Sequence, residues 1–175
     1  MDHALVLAEA SARGGYSGGA YIGAGDACRN HGRYAQAISY YRKVIALPMT
    51  YTQNKGKKQK NGILDRNQQR AQTAIDNIQT FETLDLSRIP DGTTTGTSLA
   101  YVGDLTVAVT VERGRMTSIR VTENRDKQYY SALTDTPLQL IKKQALRGVD
   151  ATTGATITSQ AIIDATARAL ARAKN

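Results

Sequence analysis

The chain of 175 residues has no tryptophan, one phenylalanine, one cysteine and two histidines. Each shortage removes a class of explanation. With Cys28 alone, no internal disulfide can form and no cysteine cluster can hold zinc. His3 and His31 both lie near the N-terminus, so a metal site built on histidine and a Ser–His–Asp device have little to draw on. No run approaches the roughly 18 apolar residues of a membrane span. The opening "MDHALVLAEASARGG" does not read as an intact signal peptide. A mature chain freed of its leader would look the same.

What is present is a 41 % apolar composition, enough for a core, in which aromatic mass comes mostly from nine tyrosines. A buried tyrosine needs a partner for its hydroxyl. The formal charge is +8, with 12 basic and 7 acidic side chains up to residue 88 and 11 and 8 after it. The excess is therefore spread along the chain. Its one dense run is "KGKKQK", 55–60. No aromatic residue alternates with these lysines, so a stacking platform for nucleic acid is not expected. A solvated loop is the simpler reading.

Residues 21–48 read as a helix, a break at His31-Gly32-Arg33 and a second helix ended by Pro48. Tyr34, Ala37, Ile38, Tyr41, Val44 and Ile45 form one apolar stripe. Residues 63–84 give a further helix with Leu64, Ala71, Ile75, Ile78 and Phe81 on one face. The texture changes at "LDLSRIPDGTTTGTS", 84–98, where Pro90-Asp91-Gly92 signals a turn. This places a boundary between a helical region, 1–87, and a second domain, 88–175.

In the second domain, Leu105, Val107, Val109 and Val111 alternate with polar or small residues. They predict a half-buried strand, a turn at Glu112–Arg115 and a return strand over 116–123 with Ile119 and Val121 inward. "DKQYYSAL", 126–133, predicts a short helix. Thr136-Pro137 predicts the start of another, with a stripe of Leu138, Ile141, Ala145 and Leu146 and an end at Gly148. A last helix is expected over about 158–173, burying Ile162, Ala165, Ala169, Leu170 and Ala173. The fold class is α+β: a helical N-terminal region, then a small antiparallel-sheet domain closed by a C-terminal helix.

"DATTGATITSQ", 150–160, is the most informative stretch. Four threonines fall within seven residues, directly before an Ala/Ile-rich helical pattern. One reading is an enlarged helix cap. The other is an anion site: a helix N-terminus offers unpaired N–H groups and partial positive charge, Gly154 admits close backbone approach, and Thr152, Thr153, Thr156, Thr158 and Ser159 offer hydroxyls. The stretch lacks the lysine of a P-loop, and its glycine spacing is not that of a dinucleotide fold.

"DATTGAT", Asp150 to Thr156, resembles the flavinylation motif of FMN-binding domains: Asp, two free positions, Ser or Thr, Gly, Ala, Thr. The stretch "DGTTTGTSLAYVGDLTVAVTVERGRMTSIRVTENRDKQYYSAL" is similar to that family's opening, and the resemblance covers about residues 88–173. It implies FMN attached through a phosphoester to Thr156 by a flavin transferase that uses FAD. It implies that Asp150 positions the loop or serves the transferase, and that Thr153, Gly154, Ala155 and Thr158 line the phosphate. Respiratory members of the family carry a Glu-Thr-Pro-Gly stretch after the hairpin, where this chain has "ENRDKQYY". Leu99, Tyr101, Tyr129 and Tyr130 are candidates to pack on the flavin ring.

The first helices resemble a tetratricopeptide repeat, with Tyr21, Gly25, Ala37, Tyr41 and Val44 at that repeat's intervals. The expected function is an extracytoplasmic electron carrier, periplasmic or at the cell surface. It would hold covalent FMN, meet redox partner proteins through residues 21–84, possess no catalytic residues or metal of its own, and bind no nucleic acid. A membrane-associated complex is a further expected setting. The alternatives are a protein-interaction adaptor and a noncovalent FMN oxidoreductase.

Overall fold

A computed structural model describes residues 18–54, 57–126, 131–152 and 154–174. The chain divides into two compact units, Met1–Asp76 and Asn77–Asn175. The division falls inside a helix, whereas the change of sequence texture falls near residue 88.

The first unit opens with helices α1 (Gly19–Asn30) and α2 (Tyr34–Ile45). Gly32 supplies the break with a φ of +70°, a conformation that costs glycine little. The expected stripe of α2 is buried at its centre: Ala37, Tyr41 and Val44 are fully enclosed. Gly25 lies against the Tyr41 ring, where a β-carbon would come within 2.4 Å of Cε1. The Tyr41 hydroxyl donates to Asp26 Oδ1 at 2.7 Å, and Arg70 meets the other carboxylate oxygen at 3.3 Å. The tyrosine-rich composition thus finds the hydroxyl partner that burial demands.

Strands β1 (Tyr51–Asn54) and β2 (Lys57–Lys60) form an antiparallel pair. The basic run, expected as a loop, therefore lies partly in a strand; Lys55 and Gly56 fall outside the described residues. Helix α3 (Gly62–Thr83) follows. Asn61 Oδ1 accepts from the amides of Ile63 and Leu64, a side-chain cap at the helix start. Leu64, Ala71, Ile75, Ile78 and Phe81 are all buried, as their spacing predicts. Gln68 Nε2 reaches the carbonyls of Val44, Ile45 and Leu47, tying off the end of α2.

The second unit holds a three-stranded antiparallel sheet in the order β3 (Gly92–Leu99), β4 (Asp104–Glu112), β5 (Arg115–Glu123). Leu105, Val107, Val109 and Val111 face the core as their alternation predicts. Arg113 and Gly114 both take positive φ, +51° and +70°, the backbone of a tight two-residue hairpin. A register shift between Thr110 and Val111 lets Met116 and Ile119, three residues apart, both turn inward. β3 was not anticipated as a strand. Its threonines carry the signal, being β-branched. On the outer face Thr93 pairs with Thr110 at 2.8 Å and Thr97 with Thr106 at 3.0 Å.

Helix α4 (Ala132–Lys143) starts four residues before the expected Thr136-Pro137 cap, so Pro137 lies inside the helix. It ends at Gln144 rather than Gly148. Gln144 adopts φ +51°, and its amide pairs with both backbone groups of Met116, N–H at 2.8 Å and C=O at 2.9 Å. That tertiary bond outcompetes continuation of the helix. The buried side is Ala132, Thr136, Pro137 and Leu140, while Leu138 of the expected stripe is 64 % exposed. The short helix expected over 126–133 lies in part outside the described residues, Tyr129 and Tyr130 included; Ala132 and Leu133 belong to α4.

Helix α5 (Thr156–Ala173) packs on β3, β4 and α4, while α4 lies on β5. From Thr158 to Leu170 every side chain except Arg168 is buried, a wider belt than the one stripe expected; Ala173 is half-buried. A helix enclosed nearly all round tolerates only small residues where another backbone comes close, hence its alanines. Arg168 and Arg172 donate to the carbonyls of Thr97 and Thr95, so the free edge of β3 is covered by guanidinium groups.

Candidate flavin site

The loop 150–155 and the first turn of α5 assemble from short-range bonds. The amide of Ala155 donates to the Thr152 carbonyl at 2.8 Å, and the amide of Thr152 donates to Ser159 Oγ at 3.1 Å. Gly154 takes φ +80°, which explains a glycine there in conformational terms. The loop's N-terminal end is fastened to α4: the Gln139 amide accepts from Asp150 N at 2.9 Å and donates to Asp150 O at 3.1 Å. Asp150 itself is exposed. Ala155 is buried and Gly154 exposed, and Thr156, half-buried, is the first residue of α5. Thr153 lies outside the described residues.

The hydroxyls of the cluster do not share one fate. Thr158 is buried and donates to Asp126 Oδ2 at 2.7 Å. Ser159 is fully enclosed. Thr152 Oγ1 is buried with no hydrogen-bond partner among the described residues. A buried polar atom without a partner is costly, and it marks a place where a ligand oxygen or nitrogen would be welcome. Thr156 and Thr158 are two residues apart on a helix, so they lie about 200° apart around its axis. Thr156 therefore keeps access to solvent while Thr158 points inward.

Asp126 was not singled out by sequence reasoning. It belongs to "ENRDKQYY", where no motif marks it. Besides Thr158, its carboxylate accepts from the amide of Val102 at 2.8 Å, and its own amide donates to Asn124 Oδ1 at 3.1 Å. One buried side chain thus joins the exit of β5, the β3–β4 loop and the first turn of α5. Tyr101 and Val102, on that loop, are 67 % and 52 % exposed. Leu99 is half-buried at the end of β3.

A cavity of about 500 Å³ runs between β5 and α4. Its apolar lining includes Ile119, Val121, Leu133, Pro137, Leu138 and Ile141, and Asn124, bonded to Asp126, also lines it. Pro137 has no N–H, so the Leu133 carbonyl lacks the partner four residues on that a regular helix would give it. The groove's lining is mainly apolar with a few polar groups, the usual make-up of a small-molecule site.

Residues 100–171 match the family model of the FMN-binding domain. This stretch is an FMN-binding domain. The structure adds that the domain's sheet begins before the matched residues, since β3 at Gly92–Leu99 pairs along the length of β4. No curated protein and no solved structure gives a significant match to the chain. The residues of the FMN-binding domain suit the cofactor chemically: amides at the start of α5 and hydroxyls for a phosphate, an apolar groove for a ring.

Proposed function

We propose that the protein is an extracytoplasmic electron carrier whose FMN is tethered by a phosphoester to Thr156. The observation that carries this reading is the position of Thr156. The last threonine of the motif is the first residue of α5 and keeps solvent access, while Thr158 and Ser159 are buried. A transferase must reach the hydroxyl it modifies.

The attachment reaction balances as transfer of the FMN phosphoryl group from a phosphoanhydride to an alcohol. Thr156 Oγ1 bonds to the FMN-side phosphorus of FAD, the phosphoanhydride bond breaks, AMP leaves with the electron pair, and the hydroxyl proton passes to water. Once bound, the isoalloxazine supplies one- and two-electron redox chemistry. The remaining tasks fall to the chain. The amides at the start of α5 would favour the phosphate's charge, and Gly154 would let the backbone approach it. The groove between β5 and α4 would hold the ring, with Ile119 and Leu138 among its apolar lining. Covalent retention suits a compartment with no flavin pool to replace a lost cofactor. Redox partners would meet the tetratricopeptide-like residues 21–84, and a membrane-associated complex is a setting consistent with such a carrier.

The test is production of the chain with and without a flavin transferase, followed by denaturing electrophoresis under ultraviolet light. Fluorescence that survives denaturation, depends on the transferase and is abolished in Thr156→Ala supports the proposal. A fluorescent Thr156→Ala protein would refute the assigned tether.

A further inference from the structure

We infer that Asp126 is a positioning residue that reserves Thr156 as the flavin acceptor; this rests on the tether proposed above. The cluster 152–159 carries five hydroxyl side chains, so acceptor choice is a chemical problem. Chemistry alone does not separate Thr156 from Thr158, both secondary alcohols in the first turn of one helix.

Geometry separates them. The Asp126 carboxylate is 7 % exposed and takes the Thr158 hydroxyl at 2.7 Å. An ionised carboxylate accepting from a hydroxyl forms one of the stronger neutral-to-charged bonds. It occupies the Thr158 proton, holds that oxygen inside, and sets a negative charge beside it that opposes an incoming phosphate. Because Thr158 is fixed, the rotation of the first turn of α5 is fixed, and Thr156 is held about 200° away, toward solvent.

Asp126 is in turn held. Its second oxygen takes the Val102 amide at 2.8 Å. Its amide and carbonyl are both bonded by the Asn124 side chain, at 3.1 and 3.0 Å. The carboxylate cannot swing away without breaking its bonds to Val102 and Thr158. The device is local to the second unit and uses no residue of the motif except Thr158.

The experiment compares the unaltered chain with Asp126→Ala, Asp126→Asn and Thr158→Val. Each is incubated with flavin transferase and FAD, flavin incorporation is timed by intact mass, and the modified residue is located by peptide mapping. Thermal unfolding of each unloaded protein is followed in parallel. Asparagine can keep both contacts, accepting from Val102 and donating to Thr158. The expected result is a fall of at least about tenfold in incorporation at Thr156 for Asp126→Ala, with rescue to within about threefold in Asp126→Asn; a tenfold change corresponds to about 1.4 kcal/mol of activation free energy. Thr158→Val, which leaves the Asp126–Val102 bond in place, should also slow incorporation while unfolding cooperatively. If Asp126→Ala fails to fold, Thr158→Val decides alone.

Incorporation at Thr156 at the unaltered rate in a folded Thr158→Val would overturn the inference. So would Asp126→Asn labelling as slowly as Asp126→Ala while still folded. Failure of the unaltered chain to take up flavin at Thr156 would instead overturn the tether proposal itself, which keeps the two results apart.

Discussion

The backbone of Gly96 lies so close to the Ala165 carbonyl that a β-carbon built on the glycine would stand 2.0 Å from that oxygen and 2.6 Å from the Ala169 amide nitrogen. Strand β3 and helix α5 are therefore joined backbone to backbone, with no side chain between them. Neither partner can yield, because backbone atoms have no alternative rotamer. Gly96→Ala should destabilise the second unit by about 1–3 kcal/mol, the usual cost of overpacking, or more if α5 cannot shift. Urea unfolding followed by circular dichroism would read this, and an unchanged midpoint would show that the contact is looser than described.

The buried Tyr41 hydroxyl makes a second testable contact. Tyr41→Phe removes the donor to Asp26 Oδ1 and leaves the ion pair with Arg70 in place. Loss of a hydrogen bond to a buried charged group costs about 1.5–3 kcal/mol. The expected outcome is a lower thermal midpoint with unchanged helix content. Asp26→Asn combined with Tyr41→Phe should cost less than the sum of the two single changes, since the contacts share atoms.

Cys28 is 2 % exposed, and burial pushes its thiol above the ordinary value of 9.0, with Arg33 pulling in the other direction. The folded value is the raised one. The stability gained by keeping this thiol protonated is therefore complete below 9.0 and is lost as pH rises through the folded value. The stability of the unaltered chain should fall relative to Cys28→Ala once pH exceeds about 9, the ordinary thiol range. At pH 8 a thiol reagent should label the native chain slowly and the denatured chain rapidly.

Leu138 tests the groove. At 64 % exposure it contributes little to folding, so Leu138→Glu should change stability by no more than about 0.5 kcal/mol. In flavin-loaded protein the same change places a carboxylate against the proposed ring face. The flavin absorption band and its fluorescence should shift, and the midpoint potential should move negative. Identical spectra for the two loaded proteins would place the ring elsewhere.

Much of this architecture could be read from residue order. The valine alternation over 105–111, the Arg113-Gly114 turn and the helical spacing of 64–81 each predicted the observed element. Their signals are local, and the structure follows them. The misreadings have a common cause. β3 carries threonine and glycine instead of valine, so its strand character showed only once its partner β4 was in place. The Thr136-Pro137 pair looks like a helix start, but α4 is already formed at Ala132 and its end is set by the Gln144 amide bonding Met116, 28 residues away. In the candidate site the motif marked the loop, whereas Asp126 and Gln139 were invisible. Both act through contacts with residues distant in sequence, and neither has a spacing that would announce it.

By itself, the sequence determined the hairpin, the position of the hydroxyl cluster at the head of the last helix and its likeness to FMN-binding domains. These follow from periodicity, turn chemistry and a contiguous motif, all of which are short-range. Which hydroxyl faces solvent and which is held by a buried carboxylate was decided by tertiary structure alone. That choice depends on the rotation of α5 against the sheet, and the rotation is fixed by a glycine-thin contact at Gly96 and a hydrogen bond at Asp126, neither encoded within the helix it controls.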